Sequence, residues 1–250
     1  MLIEILLVGA VSGFIQGLSG FAFGLVATSM WAWMMEPQRV VPLVVMGSFV
    51  GQCVSILSVR HEIRFARVRP FIVGGVIGIL MGAALLHALN ANSFRAIFGI
   101  FLVVYSSVML LMKQLPKIQK VAWGADSVIG WISGALSGAC GMGGPPITLW
   151  CSLRGWSTIS QRATFQAFFI TMQMLLLLVY AWQGIIDKPL LISFAWLVPV
   201  IMLTSWSGSR VGRHFGDVQF QKIVFGLLLL SGIVMLLPAI SSLAGRLASF

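Results

Sequence analysis

Eight long apolar stretches follow one another along the chain, at 2–34, 38–59, 70–90, 96–112, 121–152, 163–183, 189–207 and 223–243. A helix needs about 20 mainly apolar residues to cross the hydrocarbon of a bilayer. Stretches of this size leave little sequence for anything else. The chain is 59% hydrophobic and 9% charged, with a mean hydropathy of +1.01. A water-soluble domain of 250 residues cannot hide that much apolar surface. The expected fold class is all-α: a polytopic helical membrane protein. A membrane β-barrel would alternate apolar and polar residues over short strands, and no stretch here does so.

The remaining composition narrows the classes further. The formal charge of +10 could signal nucleic acid. In a membrane protein it signals basic cytoplasmic loops instead, and no nucleic-acid partner is expected. Three cysteines, Cys53, Cys140 and Cys151, lie in apolar segments. Their odd number and placement argue against a disulfide framework and against a metal site, and nothing calls for a cofactor. The opening "MLIEILLVGAVSG" carries Glu4 but no Lys or Arg. It lacks the basic start of a signal peptide and is read as part of the mature protein.

Two of the eight stretches are too long for one ordinary span, and each is broken by glycine near its middle. "GFIQGLSGFAFG" (13–24) matches "GALSGACGMGGP" (134–145), pairing Gly13 with Gly134, Gly17 with Gly138 and Gly20 with Gly141. "PQRVV" (37–41) resembles "SQRAT" (160–164), pairing Gln38 with Gln161 and Arg39 with Arg162. "FRAIFGIFL" (94–102) resembles "FQKIVFGLLL" (220–229), which sets His87 opposite His214. Two halves, 1–118 and 119–250, therefore share one plan within a single integral membrane domain.

The basic residues decide how the halves are oriented. If each long stretch is a hairpin that returns to its own side, three crossings remain per half and the halves are inverted. One side then receives Arg60, Arg64, Arg67, Arg69, Lys113, Lys117, Lys120, Arg154, Arg162, Arg210, Arg213 and Lys222, and the other Arg39, Arg95, Lys188 and Arg246. That is a strong bias, as cytoplasmic loops require. If both stretches cross once, the basic residues divide nine to seven, which is no bias. The hairpin arrangement is preferred: each half has a broken hairpin helix plus three spanning helices.

Broken helices leave backbone groups unpaired, which lipid does not tolerate unless protein or a water-filled cavity surrounds the break. In transporters, paired breaks in two inverted halves mark the substrate site. "GMGGPPITLW" (141–150) reads as a tip followed by a new helix starting near Pro145 or Pro146, since proline suits a first helical turn. A helix N-terminus presents N–H groups and partial positive charge, which suits an anion. The first half offers "SGFAFG" (19–24), with Ala22 and Phe23 where the second has Gly143 and Gly144. The two phenylalanines there could line a site for an organic group or gate it. The glycines at four-residue spacing, Gly13 and Gly17, Gly134 and Gly138, and Gly74, Gly78 and Gly82, read instead as close helix packing.

The six carboxylates, Glu4, Glu36, Glu62, Asp126, Asp187 and Asp217, all fall in loops or at segment ends. A cation carrier or proton pump usually places an acid at the membrane midplane. Their positions favour an anionic or neutral substrate. Arg39 and Arg162 suit oxyanions or serve as interfacial anchors; both readings stand. Trp31, Trp33, Trp123, Trp150 and Trp156 read largely as interfacial belts, and His87 and His214 as loop-edge residues. No hydrolase or protease motif occurs, so no enzyme is expected.

At "GFIQGLSGFAFGLVA" (13–27), "GALSGACGMGGPPITLW" (134–150), "LRGWSTISQRATFQAFF" (153–169) and "GSRVGRHFGDVQFQKIVFGLLLLSG" (208–232), the chain resembles the TauE/SafE sulfite exporter family over essentially its whole length. The first tip, Gly20-Phe21-Ala22-Phe23-Gly24, is poorer in glycine than that family's usual pattern. The resemblance implies a multi-pass carrier of the bacterial cytoplasmic membrane for sulfite or sulfonates, working in contact with membrane lipids and compatible with a homo-oligomer. It implies substrate-binding residues Ser19, Gly20, Phe21, Ala22, Phe23 and Gly24 in one half and Gly141, Met142, Gly143, Gly144 and Pro145 in the other. Gln38, Arg39, Gln161, Arg162 and Gln166 come second. The alternatives are a carrier of another small organic anion or neutral metabolite, and a non-transporting membrane assembly subunit.

Overall fold

A computed structural model describes residues 2–111, 118, 122, 124–211, 225–226 and 228–237. The described residues form helices and connecting turns, with no strand among them. A broken pair, α1 (Leu2–Ser19) and α2 (Phe23–Trp31), is followed by α3 (Pro37–Ile56), α4 (Phe65–Ala88) and α5 (Ala91–Leu111). A short 3-10 turn, Arg60–Glu62, joins α3 to α4. The order then recurs: a broken pair, α6 (Ala125–Cys140) and α7 (Gly144–Leu153), followed by α8 (Thr158–Trp182), α9 (Lys188–Val211) and α10 (Leu228–Leu237). Six of these helices, α1, α3, α4, α5, α8 and α9, are long and apolar enough to span a membrane. Their outward faces stay apolar, as at Val73, Ile77 and Leu80 of α4 or Met202 and Leu203 of α9. Water would reject those faces and hydrocarbon accepts them. Lys113, Lys117, Lys120, Trp123, Arg213, His214, Asp217, Lys222 and Arg246 lie outside the described residues, as does the His87 side chain.

Side-chain contacts sort the connections onto two ends of the bundle. At one end Arg67 and Arg154 both lie over the Trp156 ring, 5.3 and 5.2 Å from its centroid. At the other, Arg39 pairs with Asp187 at 3.6 Å, Gln38 donates to the Leu89 carbonyl at 3.1 Å, and Arg95 donates to the Ala32 carbonyl at 2.9 Å. The 25 residues of α8 separate the two ends by about 37 Å at 1.5 Å per residue. Crossing the long segments once would have put Arg67 and Arg154 on opposite sides. The hairpin arrangement is the one the contacts satisfy.

The hairpins enter from opposite ends. Asp126, in the first turn of α6, pairs with Arg154 just past α7 at 3.0 Å, so that hairpin begins and finishes at the basic end. α1 runs beside α9 in parallel from the other end: Gly9 faces Leu197, Gly13 faces Ile201 and Gly17 faces Ser205. α6 runs beside α4 in the same manner, with Gly130 on Phe71, Gly134 on Gly75 and Gly138 on Ile79. Each hairpin thus packs on a span of the other half.

These seams explain the glycine spacing. Gly74, Gly78 and Gly82 face the backbone of Ser127, Trp131 and Ala135. A Cβ at Gly138 would sit 2.6 Å from the Ala83 nitrogen. Without a hydrophobic drive between helices in lipid, close van der Waals approach across small residues supplies the adhesion. α3 is the most enclosed span, with 67% of its central window buried, and it lies between the two hairpins. Trp31 departs from the interfacial expectation. It is wholly buried and packs edge-on to Phe23 at 6.2 Å, because α2 turns it inward beside α1.

Candidate substrate site

Both hairpins stop on the glycine that the internal match pairs. Gly20 has φ +86° and Gly141 φ +73°, a left-handed conformation that glycine adopts without steric cost and that commonly ends helices. The Gly20 N–H closes onto the Gln16 carbonyl at 2.6 Å, and the Gly141 N–H onto Ser137 at 2.9 Å. The returning helices also start in register, at Phe23 and Gly144, after Ala22 and Gly143.

The two tips pass each other in the middle of the bundle. A Cβ on Gly24 would lie 2.7 Å from the Gly141 carbonyl oxygen, and one on Gly144 would lie 3.2 Å from the Phe21 ring. The Thr28 hydroxyl donates to the Cys140 carbonyl at 3.4 Å. Phe21, Gly24 and the run Gly141–Pro145 line a narrow cavity there. Its far wall is built by α3 and α8, through Val45, Ser48, Gln52, Phe169 and Gln173. The free space holds on the order of one water molecule.

The cavity lining contains no charged and no titratable side chain. Its polarity comes from amides, hydroxyls and backbone. Gln52 donates through Nε2 to the Gly20 carbonyl at 3.0 Å, which ties α3 to the first break. Gln173 donates through Nε2 to Ser48 Oγ at 2.9 Å, while Ser48 Oγ donates to the Val44 carbonyl at 2.7 Å. On the side away from the cavity, Gln16 Nε2 donates to the Ser48 carbonyl at 3.0 Å. The donors at the start of α7 are fewer than a helix N-terminus ordinarily supplies, since Pro145 and Pro146 occupy its first turn and have no N–H. Gly143 and Gly144 carry what remains.

The residues expected from sequence divide into three groups. Phe21, Gly24, Gly141, Met142, Gly143, Gly144 and Pro145 line the cavity. Ser19, Gly20, Ala22, Phe23 and Gln166 build its frame. The Ser19 hydroxyl accepts the Ala22 N–H at 3.2 Å and the Phe21 N–H at 3.4 Å. Phe23 is fully buried and points into the core against Trp31, so only Phe21 of the two tip phenylalanines faces the cavity. Gln166 is 2% exposed and approaches Gly20.

The third group, Gln38, Arg39, Gln161 and Arg162, lies apart from the cavity. Gln161 accepts from Ser152 at 3.0 Å and donates to the Trp156 carbonyl at 2.7 Å, fastening α7 to α8. Arg162 donates to the Leu18 carbonyl at 3.4 Å, placing a cation on the negative end of α1. Ser48, Gln52, Ser137 and Gln173 line the cavity and were not anticipated. Their signal was available: a glutamine inside an apolar span is costly unless it faces protein or a cavity. Cys53, Cys140 and Cys151 are free thiols. Among the described residues no cluster of His, Cys, Asp or Glu could hold a metal.

The family described as sulfite exporter TauE/SafE matches residues 5–235. A similar chain is the probable sulfite/organosulfonate exporter TauE of Cupriavidus necator, 23% identical over 234 residues, covering 92% of this chain and 91% of that protein. No solved structure matches the chain.

Proposed function

The chain belongs to the sulfite exporter TauE/SafE family, and on that premise we propose that it is a secondary transporter moving sulfite or small organosulfonates across a bacterial cytoplasmic membrane. The observation that carries this reading is the meeting of two left-handed glycine breaks, from opposite ends, at one uncharged polar cavity. Such paired breaks hold a substrate at the midplane while one half rocks against the other. The two repeats in this reading are 1–118 and 119–250. The end carrying Arg60, Arg64, Arg67, Arg69 and Arg154 faces the cytoplasm, by the excess of positive charge there. Outward movement is the working direction, because both the family and its relative are named exporters.

The test is flux. Purified protein in liposomes should exchange labelled sulfite, with saturable kinetics and competition from simple sulfonates. Transport of a carboxylate or neutral metabolite with no response to any sulfur anion would replace the substrate. Absence of flux for every solute, with altered complex formation when Gly143 is replaced by a bulky residue, would make the protein an assembly subunit.

A further inference from the structure

We propose that the species carried is hydrogen sulfite, the protonated monoanion, and that the side-chain carbonyls of Gln52 and Gln173 select it, one or the other accepting a hydrogen bond from its O–H. This rests on the sulfur-oxyanion reading above and narrows it.

The orientation of both amides follows from their partners. Gln52 faces the Gly20 carbonyl, an acceptor, so its NH2 group must point there. Gln173 faces Ser48 Oγ, whose own hydrogen is committed to Val44. With its hydrogen on the Val44 carbonyl, that oxygen accepts from the Gln173 NH2 group. Both Oε1 atoms are consequently turned away from these contacts, and both are buried without a partner. Gln52 is 1% exposed, and both residues line the cavity between the two tips. An unpartnered buried acceptor in a ligand cavity is completed by a ligand that brings a donor.

Charge narrows the choice in the same direction. The cost of taking an ion out of water grows with the square of its charge, and no cation in the cavity lining offsets it. The dianion sulfite is therefore rejected on charge. A sulfonate is a monoanion but offers only acceptor oxygens, which would face the two carbonyls. Hydrogen sulfite has one charge, oxygens for the Gly143 and Gly144 N–H groups, and one proton for a glutamine. A site built to hydrogen-bond a ligand proton rejects analogues without it strongly.

The pH response then belongs to the ligand. The titratable and charged groups on the elements around the cavity are Glu4 on α1, Arg39 and Cys53 on α3, Asp126 and Cys140 on α6, Cys151 on α7, and Arg162 and Tyr180 on α8. None of them lines it. Arg39, Asp126 and Arg162 are engaged elsewhere, and the Tyr180 hydroxyl donates to the Gly138 carbonyl.

The experiment is initial-rate flux of labelled sulfite in proteoliposomes on either side of neutral pH, where sulfite and hydrogen sulfite interconvert. Above the ligand's ionisation, KM expressed as total sulfite should rise about tenfold per pH unit, because only the protonated fraction binds. KM expressed as hydrogen sulfite should stay constant. Inhibition by methanesulfonate, which does not titrate there, should be weak and flat with pH. Q173L should raise KM for hydrogen sulfite about tenfold or more and narrow its advantage over methanesulfonate. Q52L should do the same, and Gln173, being half-buried, keeps the test intact if Q52L does not fold. Flux whose KM in total sulfite is indifferent to pH, or falls as pH rises, overturns this inference and leaves the transporter reading standing. Q173L with unaltered discrimination overturns it too. No flux of any sulfur anion at any pH overturns both.

Discussion

Replacing Gly24 by alanine tests whether the two tips must touch for the carrier to work. The added Cβ would stand 2.7 Å from the Gly141 carbonyl oxygen and 3.5 Å from the Met142 Cβ. Real Cβ atoms essentially never approach closer than 3.0 Å, so the tips must separate by at least 0.3 Å, and by 0.7 Å to reach the 3.4 Å of ordinary contact. Neither side has room. Gly141 is backed by Val44, 2.9 Å from where its own Cβ would be, and α2 is backed by α3, whose Gly47 would bring a Cβ within 2.5 Å of the Phe23 ring. Overpacking of this kind costs about 1–3 kcal/mol. Better helix propensity returns at most about 1 kcal/mol, and less in a first turn. The net loss of about 1–2 kcal/mol lowers the thermal midpoint by roughly 2–8 °C for a chain of this size. Because the displaced atoms border the cavity, flux should fall further, by about tenfold or more. G226A is the control, since no described residue lies within 4 Å of a Cβ there. The measurements are thermal unfolding in detergent and sulfite flux in liposomes. A G24A protein as stable and active as the wild type, beside an unaltered G226A, would refute the close apposition of the tips.

Topology is open to cysteine labelling after Cys53, Cys140 and Cys151 are replaced: single cysteines at Glu62 and Thr158 should react with an impermeant maleimide from one face, and those at Glu36 and Lys188 from the other, whereas segments crossing once would pair Glu62 with Lys188. Asp126 holds Trp150 Nε1 at 2.7 Å and Arg154 at 3.0 Å, with both charged side chains 23% exposed, so D126A should lose about 1–3 kcal/mol by thermal unfolding, with substrate KM unchanged. Arg162 separates ligand from cap: R162A should cost about 0.3–1 kcal/mol of stability and alter KM less than about fivefold, with R162K restoring most of it. A complete loss of substrate binding in R162A would make it a ligand. G78L should abolish a monodisperse purified protein, because its side chain would enter the backbone of Trp131 and Ala135, and size-exclusion chromatography reads the result.

How much of this was legible from sequence depends on what kind of signal each part leaves. Gly20 and Gly141 were paired by a repeat, and both adopt positive φ, because a backbone that must turn left-handed excludes almost every other residue. The two ends of the bundle were legible from charge alone, since Lys and Arg cannot hide in hydrocarbon; the contacts of Arg39 with Asp187 and of Arg67 and Arg154 with Trp156 follow that division. The same repeat signal pointed to Gln38, Arg39, Gln161 and Arg162, none of which lines the cavity. A recurring Gln-Arg pair marks a recurring structural task early in the helix after a hairpin: Gln38, Arg39 and Gln161 fasten connections, while Arg162 reaches the Leu18 carbonyl beside the first break.

The cavity's far wall was less legible for a different reason. Gln52 and Gln173 have no polar counterparts in the repeat: carried on from Gln38 and Gln161, the match sets Gln52 opposite Leu175 and Gln173 opposite Val50, so symmetry does not mark them. A search for charge could not find them either. The energetic reasoning that should have found them is that an amide in hydrocarbon is costly whether or not it is ionised. Gln16, Gln52, Gln166 and Gln173 all lie on the interior spans α1, α3 and α8, and each has a carbonyl oxygen buried without a partner. Of the four, Gln52 and Gln173 line the cavity, whose lining holds no carboxylate. Close packing answers why one tip is bare glycine and the other is not. A Cβ on Gly143 would meet Ser137 Oγ and the Ser133 carbonyl, and one on Gly144 would lie 3.2 Å from the Phe21 ring, while Phe21 lines the cavity and Phe23 anchors α2 in the core.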